Sequence, residues 1–134
     1  MKRIITMMLT VVMVMNFGVN VKAETVSKVL MENRVRREVS GYEYDMAKAL
    51  DEDREALARA LEYEVTSKEL ANGIYDICLE CVFYKKYHYE YHFIFDAVED
   101  YTEIKYGIDT YGNRRDADEL SKIIINKFPE LDLE

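Results

Sequence analysis

From residue 87 to 95 every odd position is aromatic: Tyr87, Tyr89, Tyr91, Phe93 and Phe95. The even positions between them begin His88, Glu90, His92. A period of two with aromatic content is the pattern of a half-buried strand, and it predicts a strand over 87–95 with its aromatics inward. The same alternation runs earlier, through Tyr75, Ile77, Leu79, Cys81 and Phe83, with Asp76 and Glu80 between. There it competes with a helix signal. Thr66 can cap, Glu69 can reach back to it, and Val65 can staple onto Leu70. Ile74, Ile77, Cys78 and Cys81 also share one helical face. The cap tips the reading to a helix over 67–80. A second strand over 102–108 follows from Thr102, Ile104, Tyr106 and Ile108 alternating with Glu103 and Lys105. Residues 96–100 would join it to the first strand as an antiparallel hairpin.

Helical spacing governs the rest of the chain. Val26, Val29, Leu30, Val35 and Val39 predict a helix over 25–39 that stops at Ser40 and Gly41. Met46, Ala47, Leu50, Leu57, Ala60 and Leu61 form one stripe, with Asp51, Glu52, Asp53 and Glu55 mostly opposite, which predicts a helix over 44–63. The last helix, 116–128, opens on Asp116 as cap, carries Ala117, Leu120, Ile123, Ile124 and Phe128 inward, and meets Pro129 just past its end. The class expected is α+β, with helices packed on one face of a small antiparallel sheet.

The first residues carry a different signal. Lys2 and Arg3 precede an apolar run over 4–15 broken only by Thr6 and Thr10, and a looser stretch ends at Val21, Lys22 and Ala23. This predicts a secretory signal peptide, 1–23, cut after Ala23. An uncleaved anchor fits less well, because the run is 12 residues and a spanning helix needs about 20. Residues 24–134 then form a single domain. Loss of Lys2, Arg3 and Lys22 with the leader takes the net charge from −8 to −11. Such a chain is repelled by phosphate backbones and anionic lipid. Arg34, Arg36, Arg37, Arg114 and Arg115 each stand near acids and read as solvated faces. With no second apolar run of spanning length, the expected partner is a protein rather than nucleic acid or membrane.

Every Cys and His falls within 78–92: Cys78, Cys81, His88 and His92. Two thiols and two imidazoles are a zinc-ligand set, but 6 residues separate the pairs where about 12 are usual. Two His four apart meet one metal on a helix; on a strand they lie about 13 Å apart. On a strand Cys78 and Cys81 also point to opposite faces. The expectation is therefore no metal and no cofactor, with the cysteines in the core and the histidines on a wet face. A variant survives the strand reading: His88, Glu90 and His92 share one face, and a neighbouring pair could take a metal with help from another strand. The Cys-x-x-Cys spelling lacks the strand-to-helix context of a thiol–disulfide site. No nucleophile-elbow serine and no Gly-rich phosphate loop occurs.

The order of a long helix followed by meandering strands resembles cystatin-like and NTF2-like small secreted domains. Ile108 and Asp109 followed by Tyr111, Gly112 and Asn113 resemble the end of a PepSY domain over about 25 residues. Fold likeness transfers no activity. The functional expectation is a small, exported, non-enzymatic bacterial protein, a binding or inhibitory module. The alternative is a metal- or thiol-dependent protein using Cys78, Cys81, His88 and His92.

Overall fold

The computed structural model describes residues 26–52 and 55–131. The leader and its cleavage point lie outside them. Helix α1 spans Lys28–Glu52 and a short α2 spans Glu55–Ala60. Strands β1 (Leu61–Ala71), β2 (Ile74–Phe83), β3 (Tyr87–Asp96), β4 (Tyr101–Ile108) and β5 (Arg114–Arg115) follow, then α3 (Ala117–Lys127) and a short 3₁₀ turn, Pro129–Leu131. The five strands form one antiparallel meander in chain order. The class is α+β, with helices on one face of an open antiparallel sheet.

The expected stop at Ser40 and Gly41 is corrected: one helix runs through both and is described as far as Glu52, and residues 55–60 of the expected helix 44–63 are helical as well. Its buried stripe is Met31, Val35, Tyr42, Met46 and Ala49, which stays in phase across Gly41. A mid-helix glycine costs only about 1 kcal/mol, less than the burial of one such side chain. Val29, Leu30 and Ala47, expected on the buried stripe, are exposed. From Leu61 onward the expected helix gives way to strand.

The expected helix 67–80 is also overturned. Residues 67–71 finish β1, Asn72 and Gly73 turn the chain, and β2 begins at Ile74. Gly73 takes φ 82°, the left-handed region that glycine enters freely. A helix cap is worth about 1 kcal/mol. The strand instead buries Tyr75, Ile77, Leu79, Cys81 and Phe83 on a single face, each worth about 1.5–3 kcal/mol for a large apolar side chain. Burial outweighs the cap.

β3 follows the sequence pattern closely. Tyr89, Tyr91, Phe93 and Phe95 are fully buried. The helices cover this face: the rings of Tyr42 (α1) and Phe93 lie 4.9 Å apart, and Phe128, at the end of α3, stacks on Phe83 at 4.9 Å. Tyr91 Oη and Ser121 Oγ share a buried hydrogen bond of 2.6 Å. Arg34 Nη1 donates to the carbonyls of Ala97 and Val98, tying α1 to the β3–β4 connection. Asp116 caps α3 as expected, its carboxylate accepting from the Asp118 N–H.

β4 departs from simple alternation. Ile104 pairs with Phe93, but Tyr106 rather than Lys105 pairs with His92. The extra residue is a bulge, which re-aims the side chains that follow it. Thr102 stays on the core side, buried. Past the bulge, Gly107 takes the core side, against Leu120 of α3. Tyr106 and Ile108, expected to share a face with Thr102, turn to the outer face.

Candidate functional site

The face of the sheet opposite the helices carries the even residues of β2 and β3. No described helix covers it. Across β2 and β3, Cys78 pairs with His92 and Glu80 with Glu90. Because side chains two apart share a face, Asp76, Cys78, Glu90 and His92 converge on one spot.

His92 is the centre. Its Nδ1 lies 2.9 and 3.0 Å from the two carboxylate oxygens of Asp76. Its Nε2 lies 2.7 Å from Glu90 Oε1. Cys78 Sγ is 3.8 Å from both Glu90 Oε1 and His92 Nε2. The His92 side chain is only 12 % exposed, so this arrangement sits within the sheet surface rather than above it. The Tyr106 ring stacks on the imidazole, centroids 4.7 Å apart and planes within 13°. The Arg114 guanidinium carbon lies 3.7 Å from the Tyr106 centroid. The β4 bulge makes this stack possible by turning Tyr106 outward.

Burial pushes the Cys78 thiol up to about 12, with the charges of Glu90, Asp76 and Glu80 adding to the effect. Both effects favour the protonated thiol over the thiolate. Cys81, on the core face, is fully buried, and burial raises its thiol as well. The two cysteines are free. Three residues apart on a strand their Cα atoms are about 10 Å apart, beyond disulfide reach.

Beside this cluster lies a depression of about 580 Å³ lined by Leu70, Asp76, Ile94, Tyr106 and Arg114. Each of the five strands supplies one of these residues. Leu70 is 53 % exposed at its rim.

Of the four residues singled out in the sequence, the fold brings together Cys78 and His92. Cys81 is turned into the core. His88 is exposed on the outer face and pairs with Glu80 at 3.4 Å. Glu90 joins the site as the strand variant allowed, while Asp76, Tyr106 and Arg114 were not legible as site residues. Asp76 stood among the polar residues of an alternating segment. Arg114 read as a solvated charge, and Tyr106 as a core residue. Gly107 between two larger residues was the available hint of a bulge.

Comparison with family models, curated proteins and solved structures found no match. Among the described residues, no helix is long and apolar enough to cross a membrane.

Proposed function

We propose that this chain is a small exported, non-enzymatic binding module whose partner is a basic protein surface seated on the outer face of the sheet. The observation that carries the reading is the depression built by all five strands, with Tyr106 and Arg114 at one side and Leu70 at its rim. Tyrosine and arginine are the residues that most often anchor protein interfaces. Acidic groups on this face are Asp76, which lines the depression, Glu103, level with Ile94 of its lining, and Glu90 further along. Such acidic groups favour a cationic partner and speed its capture. Strand-borne side chains are held in place before binding, which lowers the ordering cost. Export is part of the proposal and rests on the basic and apolar pattern of 1–23. α1 laid across the sheet, followed by the antiparallel meander, supports a cystatin-like or NTF2-like outline.

The test is capture from the culture medium on the immobilised protein, with wild type compared with Tyr106→Ala and Arg114→Ala. Retained proteins should be basic, should elute with salt, and should bind the variants about 30-fold more weakly, an effect of about 2 kcal/mol at an anchoring residue. Arg36→Ala, on an exposed part of α1, should bind as wild type. Capture indifferent to Tyr106 and Arg114 would overturn the assignment of this face.

A further inference from the structure

We propose that Cys78, Glu90 and His92 bind one divalent cation of the zinc class, with Asp76 holding the imidazole. This goes beyond partner binding and rests on separate observations. The three donor atoms lie within 4.8 Å of one another. Tetrahedral zinc with thiolate, imidazole and carboxylate ligands places nitrogen and oxygen about 3.4 Å apart and each about 3.6 Å from sulfur, from the usual bond lengths. The corresponding separations here are 2.7, 3.8 and 3.8 Å. The sulfur is already at ligand spacing. Only the hydrogen bond between Nε2 and Oε1 must open, by about 0.7 Å, to admit the ion.

The surroundings fit the same reading. A ligating histidine usually donates its other ring N–H to a carboxylate, which fixes tautomer and orientation. Asp76 stands at Nδ1 at 2.9 Å, leaving Nε2 directed at Glu90 and Cys78. Two carboxylates, Asp76 and Glu90, pair with the same ring. The Tyr106 stack holds the ring in place. The donor set of sulfur, nitrogen and oxygen suits a borderline-soft ion, and hard Mg²⁺ or Ca²⁺ is disfavoured. Three protein ligands leave the fourth position for water or an incoming donor. On binding, the Cys78 thiol releases its proton to solvent and ligates as thiolate.

Purified protein, reduced and stripped of metal, is titrated with Zn²⁺ by calorimetry and with Co²⁺ by absorption, without any partner. We expect one ion per chain, proton release on uptake and thiolate-to-cobalt charge-transfer absorption. Cys78→Ser should abolish that absorption and weaken Zn²⁺ by about 100-fold or more, and Asp76→Asn should weaken it about 10–100-fold. His88→Gln should match wild type. Wild-type protein that binds no stoichiometric ion, or binds cobalt without the thiolate band, overturns the proposal whatever the variants do. Equal affinity in Cys78→Ser, or a loss in His88→Gln, would assign the ion to surface groups and overturn it too. Circular dichroism verifies that each variant is folded. Metal uptake and partner capture are separate readouts, so either reading can fail alone.

Discussion

Gly107 of β4 lies directly beneath Leu120 of α3, with no room between them for a β-carbon. A β-carbon there would overlap Leu120 Cδ2 and sit 3.1 Å from the Glu90 carbonyl oxygen and 3.3 Å from Leu120 Cβ. Leu120 is fully buried and cannot swing into solvent. Close packing of α3 therefore depends on glycine at this position.

Gly107→Ala is expected to destabilise the fold by about 1–3 kcal/mol through overpacking. Leu120→Ala alone should cost about 2–5 kcal/mol by leaving a cavity. The double variant should lose clearly less than the sum, because each change relieves the other. Urea unfolding midpoints of the four proteins measure this. Strict additivity would mean that the two residues are not in contact.

Two neighbouring tyrosines should respond with opposite signs. Tyr89 Oη is buried and has no hydrogen-bond partner among the described residues. Tyr91 Oη is bonded to Ser121. Tyr89→Phe removes an unsatisfied hydroxyl and is expected to leave stability unchanged or raise it by about 1 kcal/mol. Tyr91→Phe leaves Ser121 Oγ buried alone and should cost about 1–3 kcal/mol. Thermal melts of both variants at one pH check the contrast; a loss in Tyr89→Phe would show that its hydroxyl has a partner.

Asp109 sets the acid limit of the turn between β4 and β5. Its carboxylate accepts the N–H groups of Tyr111 and Asn113 and the Arg115 Nε, each at 2.9 Å. Burial alone would raise its pKa. The Asn113 N–H, Arg115 and the Tyr111 N–H together outweigh burial and hold it below the ordinary carboxylate value. A depressed folded pKa contributes stability above the unfolded value, about 3.9, which is lost as pH falls through the folded value. Asp109→Asn should therefore be less stable than wild type at neutral pH, with the gap closing below about pH 4. Urea midpoints at the two pH values test this, and a gap that persists in acid would count against an ionised Asp109.

The hairpin at residues 72 and 73 carries a signal that the helix reading of 67–80 passed over. Asn72 and Gly73 between two alternating runs are strong hairpin chemistry, yet Thr66 and Glu69 also spell a helix cap. Local motifs of about 1 kcal/mol cannot settle such a contest. The paired strands do so by burying Tyr75, Ile77, Leu79 and Phe83 together with the smaller Cys81. The site was half legible for a related reason. His92 and Glu90 share a face by sequence spacing alone. Cys78 reaches them only through register with β3, and Tyr106 only through a one-residue bulge.

By itself the sequence determined the strand at 87–95 with its inward aromatics, the capped helix beginning at Asp116, and the α+β class. These follow from periodicities of two and 3.6, which depend on nothing but chain geometry. Tertiary structure alone decided that residues 67–80 pair as strands, that α1 runs unbroken through Gly41, and that Asp76, Cys78, Glu90, His92, Tyr106 and Arg114 meet. Each of those outcomes depends on which distant residues become neighbours. Cooperative burial against the sheet fixes that, where local spacing offers rival candidates and does not choose between them.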